Sequence, residues 1–407
     1  MDAVTTMRQN KYNALDKIFA FLYAIIVIVQ PLRSFLPVTL SMAIIIVSVP
    51  YLLFLLLTRK NKFKNIAFVT LYAVYRIINH GTSVEELITM LFLILLATIL
   101  NNNRFDFDSF FKWTVRICCL ASACVILQVV MYYIANVHIS FLHVGILRED
   151  LSNYERLIST GMTSNAYRPS AFFLEPSAFT QYAYPVLFYL IFKDGSRESI
   201  KYAFFISLGI IASTSGMGIM LTILLWGVYL FYNCFRDGKL NRKWFGLLCL
   251  AIVACMIAYF ASLQLQYSVQ RIFQGDGVGN SAIQGRLEGG QYYVSQLNRS
   301  EFIFGTGDTG AELTLYMSGV YHLVYTDGIL CAALFFLIFI MQALTKKGFD
   351  RLLPVIVIIV SVFSDISLIH SLVYVMIYVF TAVNKVDTKM VRVRTKFTSG
   401  IEISKVI

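Results

Sequence analysis

Six arginines stand out by type and placement: Arg148, Arg156 and Arg168 in one polar stretch, and Arg271, Arg286 and Arg299 in another, with no lysine in either. A guanidinium is planar, stays charged at any working pH and grips phosphate oxygens through two parallel N–H bonds, whereas an ammonium acts as a point charge. The set therefore suits an anionic, phosphate-bearing ligand. Arg148-Glu149-Asp150 and Glu155-Arg156 read more simply as loop ion pairs, which are common and weak on exposed surfaces. Arg168 reads differently. It opens RPSAFFLEPSAFTQYAYP, where Pro169 and Pro176 fix a helix start, Glu175 stands at its mouth, and Tyr182 and Tyr184 follow inside. His322 is one of five histidines (80, 138, 143, 322 and 370). A lone histidine near a helix end is often just a satisfied polar residue, but its reference pKa near neutrality suits a proton acceptor. Ser213, Thr214 and Ser215 either line a polar cavity or pack a close helix contact.

These groups need a scaffold, and the composition says which kind. Of 407 residues, 58% are hydrophobic and 14% charged, and the mean hydropathy is +0.69. So few charges cannot coat a soluble globule of this size, which excludes a soluble enzyme. The seven cysteines lie in or beside apolar runs without CxxC or Cys/His spacing, so neither zinc nor a disulfide framework is indicated. The first apolar run ends at Gln30-Pro31 without a small-residue cleavage site and is expected to be an anchor rather than a removable signal.

Apolar runs able to form membrane helices fall at 17–34, 35–57, 65–79, 84–100, 110–134, 177–193, 200–214, 216–235, 244–264, 316–343, 352–364 and 366–384. The pattern predicts an all-α polytopic membrane protein with about twelve transmembrane helices. The run at 65–79 is the weakest because it contains Arg76, and the last two could be one hairpin turning at Ser364-Asp365. Alternating sides with the N-terminus inside puts 25 Lys and Arg on the cytoplasmic side against 8 outside, all 8 of them arginine. That asymmetry predicts an N-in, C-in topology and accounts for the net charge of +11 without nucleic acid. The chain then divides into helices 1–5 over 1–134, a first large outer loop at 135–176, helices 6–9 over 177–264, a second large outer loop at 265–315, helices 10–12 over 316–384, and a cytoplasmic tail at 385–407. The second loop is Gly-rich at 275–290 and 305–310, a pattern expected of tight turns or close approach to an anion. Neither loop has acids at metal-ligand spacing, so no metal or cofactor is expected.

RPSAFFLEPSAF at 168–179, STSGMG at 213–218, Arg286 within NSAIQGRLEGG, FIFGTG at 302–307 and His322 in SGVYHLVYTDGIL together resemble the O-antigen and capsular polysaccharide polymerases (Wzy type), of the superfamily shared with the O-antigen ligases. The resemblance covers about 160–345 and the helix count. It implies a metal-independent, GT-C-like glycosyltransferase of the bacterial cytoplasmic (inner) membrane, its site facing the periplasm. Such an enzyme joins undecaprenyl-diphosphate-linked oligosaccharide repeat units into capsule or lipopolysaccharide O-antigen. Arg168 and Arg286 match the family's key arginines, and His322 matches a histidine of the ligase branch. Leu323 stands where ligases usually have Asn, and Arg286 to Gly305 is longer than the arginine-to-glycine spacing of some polymerases.

On this reading the proton acceptor is His322 or Glu175, and Arg168, Arg286, Arg271, Arg299, Tyr182 and Tyr325 bind pyrophosphate and glycan. The expected partners are the lipid-linked oligosaccharides, the bilayer and a chain-length regulator protein. A ligase moving the glycan to another acceptor, or a transporter or flippase of lipid-linked oligosaccharide, remain the alternatives. The topology predicts that a cysteine at Asn280 reacts with an impermeant thiol reagent in intact cells while one at Lys62 does not; the reverse labelling would invert it.

Overall fold

In the computed structural model the described residues are 14–33, 38–57, 66–79, 84–142, 146, 167–235, 240–263, 265–266, 269–270, 282–307, 317–363 and 371–383. All the regular structure among them is helical, with no β-strand. The helices are α1 (Ala14–Val29), α2 (Leu40–Leu57), α3 (Ala67–Asn79), α4 (Val84–Asn101), α5 (Phe107–Ala135), α6 (Pro176–Phe188), α7 (Arg197–Ala212), α8 (Gly216–Phe235), α9 (Arg242–Ala261), α10 (Ala282–Ser295), α11 (Arg299–Phe304), α12 (Gly319–Thr345), α13 (Leu352–Phe363) and α14 (Ser371–Ala382). Each of the twelve apolar runs carries a helix. Six of these, α2, α4, α5, α8, α9 and α12, are long and apolar enough to cross a membrane; the others are shorter or less apolar.

The helices are apolar on most of their circumference, so what is not buried against protein remains greasy. Val47, Phe54, Leu57, Leu250 and Phe260 are all exposed, as expected for surfaces meeting lipid. Where helices meet closely, small residues allow it. A Cβ at Gly209 of α7 would overlap Ser122 of α5, and one at Gly218 of α8 would overlap the Thr180 hydroxyl of α6. The STSG segment serves that second contact: Thr214 turns the chain with φ +56°, and the Ser215 hydroxyl accepts from Gly218 N–H at 3.2 Å.

The connections gather at two ends of the bundle. At one, Phe107, Tyr189 and Phe380 meet ring to ring, with centroids 5.1 to 5.6 Å apart, and Lys193 pairs with Asp350. At the other lie the starts of α4, α6, α8 and α12 and the segments flanking both long loops; this is the loop end. One expectation about it needs correction. The glycines of 285–290 lie on a helix, α10, rather than in tight turns, and residues 275–281 are outside the described set. The run expected at 316–343 forms α12, which breaks inside at Gly328 with φ +83° and ψ 167°.

Lys346 follows α12 at the end away from the loops, 8% exposed, and donates to the Thr381 carbonyl. Burial, with the nearby Lys193 adding to it and Asp350 opposing, pushes its pKa down to about 8, against about 10.4 for a free lysine. Between those values the unfolded chain holds the proton and the folded one has released it, so stability rises with pH across that window. The melting temperature of the detergent-purified protein should climb a few degrees more between pH 7.5 and 9.5 than that of Lys346→Met; parallel curves would count against a buried, depressed Lys346.

Candidate functional site

The first part of the site is the segment leading into α6. Its course is fixed from below by Gln128 of α5, a buried amide that donates to the Ile139 carbonyl and accepts from Ala171 N–H, both at 2.9 Å. One side chain thus satisfies backbone on either side of the first long loop, and Ala171 adopts φ +54° to meet it. Tyr167 stacks on Tyr132, centroids 4.2 Å apart, with His138 edge-on at 5.3 Å. Partial burial pushes the Tyr167 phenol up to about 12, so it remains neutral at working pH. The Thr214 hydroxyl lies 3.5 Å from the Tyr167 carbonyl, at the limit of a hydrogen bond, and joins this segment to the start of α8.

Arg168 follows, half-buried. Glu175 is extended at φ −139° as the N-cap of α6, with Pro176 at the first helical position. The Ser177 hydroxyl donates to its carboxylate at 2.7 Å, which leaves an acid half-buried at a helix N-terminus where the dipole favours negative charge.

The second part is built where α12 begins and breaks. Positive φ at Gly328 ends the regular hydrogen bonding of the first half-helix and frees carbonyls there. The second loop takes them: Thr306 N–H donates to Tyr325 O at 2.9 Å and Gly307 N–H to Thr326 O at 3.0 Å. The two backbones then approach so closely that only glycine fits at either side. A Cβ at Gly305 (φ +85°) would overlap the Thr326 carbonyl, and one at Gly328 would overlap the Ile303 carbonyl. On the loop side α11 starts with a capping box between Asn298 and Glu301. It is tied to α3 by Asn79, whose amide donates to Phe304 O at 2.7 Å.

Against this same half-helix lies an ion cluster that the sequence reading did not single out. Arg76 Nε of α3 is 3.0 Å from Glu86 of α4 and 3.4 Å from Asp327, the residue before the break, whose side chain is 1% exposed. The Nε–H aligns on neither carboxylate, so both contacts are ion pairs rather than hydrogen bonds. The signal was present in a basic residue inside an apolar run, which marks a functional or paired position.

The expected site residues fall into separate groups. Arg168 and Glu175 sit at the start of α6; His322 (8% exposed) and Tyr325 sit in the first half of α12. Arg286 lies on α10 one turn before Gly290, where a Cβ would overlap the Tyr321 ring beside His322; only its backbone is described. Arg299 opens α11 and is exposed. Tyr182 is fully buried and donates to the Ala24 carbonyl of α1 at 2.6 Å; it ties α6 to α1 and presents no surface to a ligand. Arg271, Arg148 and Arg156 lie outside the described residues, as does His370. Helix α14 packs against both α6 and α12. No family model matches the chain, and no curated protein or solved structure does either.

The glycine contact yields a direct test. Gly305→Ala and Gly328→Ala each combine positive-φ strain of about 1–2 kcal/mol with backbone overlap, and should lower the melting temperature sharply. Gly227→Ala in α8, where a Cβ meets nothing within 4 Å, should be neutral or slightly stabilising. Equal melting temperatures for all three would mean that the loop does not sit on the break.

Proposed function

We propose that the protein is a multi-pass glycosyltransferase of the bacterial cytoplasmic membrane. In this reading it polymerises undecaprenyl-diphosphate-linked oligosaccharide repeat units into surface polysaccharide, with about twelve spans, both termini inside and the loop end facing outward. One observation supports it above others. Four of the five short motifs that carry the family resemblance, scattered over more than 150 residues, meet in pairs at one end of the bundle. RPSAFFLE lies against STSG through Thr214 and Tyr167, with Gly218 against Thr180 just below. FIFGTG lies on the HLVYTDG half-helix through the paired glycines.

The chemistry follows from these groups. An acceptor sugar hydroxyl attacks the anomeric carbon of the donor chain, the new glycosidic bond forms, and the bond to undecaprenyl diphosphate breaks with its electron pair leaving on the phosphate oxygen. Arg168 and Arg286 neutralise the leaving diphosphate, in the manner of fixed cations aimed at developing charge. His322 or Glu175 takes the hydroxyl proton.

The test uses purified protein in liposomes with a synthetic undecaprenyl-diphosphate-linked repeat unit, read as a ladder of chain lengths. Arg168→Ala and Arg286→Ala should abolish extension in folded protein, with Lys a poor substitute at either site. His322→Ala should lose about a hundred- to ten-thousand-fold in turnover if it is the base; a drop that only tracks protein amount would move that role to Glu175. A second reading, translocation of lipid-linked oligosaccharide, draws on the buried ion cluster and the broken α12, features that transporters use at substrate sites. Liposomes that expose the labelled lipid on the far leaflet without lengthening its glycan would favour it. Transfer of the glycan to a different acceptor would instead indicate a ligase.

A further inference from the structure

Arg76 stands in the last turn of α3, its side chain 12% exposed, between two carboxylates. From there a chain of contacts runs to the residue placed as the proton acceptor. The Thr326 hydroxyl lies 2.7 Å from the Asp327 carboxylate and 2.9 Å from the His322 carbonyl, so its single proton is shared between them. The His322 amide is in turn held by Ser318 O at 2.8 Å. The carbonyls of Tyr325 and Thr326, on the same turn, receive the loop amides of Thr306 and Gly307. One guanidinium therefore fixes the acid before the helix break, and that acid fixes the turn carrying His322 and the loop resting on it.

We propose that Arg76 is a positioning residue for His322, acting through Asp327 and Thr326. Without the guanidinium, Asp327 and Glu86 lose the cation they share in a nearly dry site, and Asp327 shifts from its place before the break. The Thr326 hydroxyl and the His322 turn follow. A displacement of about 1 Å in a catalytic group is enough to cost about a hundredfold in rate. The proposal rests on the polymerase reading only in treating His322 as the base; the coupling of Arg76 to the break and the loop stands apart from it.

The experiment has two arms on the full-length protein. Steady-state kinetics use the synthetic lipid-linked repeat unit, and pulsed EPR measures the distance between spin labels attached through ketone-bearing unnatural residues at Val84 and Ser300, both exposed. Arg76→Met should lower kcat about 100-fold with KM within about twofold and broaden the distance distribution. Arg76→Lys, which keeps the charge, should recover a narrow distribution and most of kcat. Thr326→Val, which leaves the ion pair in place, should lower kcat with the distribution unchanged. Folded Arg76→Met with wild-type kcat or an unaltered distribution would overturn the proposal, as would a loss confined to protein amount. If Arg76→Met does not fold, unchanged kcat in Thr326→Val overturns it. If even the wild type extends no chain, the polymerase reading fails and the spin-label arm alone decides whether Arg76 sets the loop.

Discussion

The loop end depends on how a broken helix satisfies its backbone where water is scarce. Hydrocarbon offers no partner to a free N–H or C=O, so a break inside an apolar helix persists only where protein supplies the missing bonds. At Gly328 the supplier is the second long loop, whose amides at 306 and 307 reach the carbonyls of Tyr325 and Thr326. That pairing demands glycine on both sides, at 305 and 328, and it fixes where α11 lies and which face of α12 is covered. The ion cluster secures the same joint from α3 and α4. Burying Arg76 alone would be costly; held between Glu86 and Asp327 it links three helices at the one position where α12 has lost its own hydrogen bonds.

The start of α6 solves a related problem by another route. A segment returning from a long loop must enter the bundle with its polar groups paired, and Gln128 does this from one side chain for Ile139 and Ala171 together. Beneath it the helices lock by small residues and by Tyr182, whose phenol reaches the backbone of α1. The half-buried Arg168 and Glu175 are therefore mounted on a well-anchored start, as a binding group must be if it is to hold geometry during chemistry.

Much of this was legible in the sequence. Every apolar run became a helix, six of them long and apolar enough to cross a membrane, because sustained hydropathy is a local signal, and the start at Pro176 follows ordinary helix-start grammar. The failures have physical causes. Tyr182 looked like a site residue because it follows Glu175 on the same helix, yet a phenol inside an apolar bundle needs an acceptor, and the Ala24 carbonyl lies in a segment 158 residues away that no local pattern reveals. The glycines at 285–290 suggested turns, but Gly290 serves packing: without a side chain, α10 comes flush against Tyr321. Arg76, Glu86 and Asp327 lie on three segments, and only their meeting gives them meaning. Alternation of sides puts Arg76 among the eight outer arginines, but its place in an apolar run is the stronger signal.

Arg76, Arg299 and Arg168 stand in different surroundings. Arg76 has two carboxylates within 3.4 Å, so its charge is spent inside the protein and it is poorly suited to a diphosphate. Arg299 opens α11 on the exposed surface, while the nearby Glu301 is committed to the capping box with Asn298. Arg168 stands half-buried, seven residues ahead of Glu175, the N-cap of α6. On the polymerase reading a diphosphate held by Arg168 would lie on the segment that ends at the Glu175 carboxylate. Of the expected ligand arginines whose side chains are described, Arg168 is half-buried on an anchored segment and Arg299 is exposed, so Arg168 is the better placed to hold its geometry.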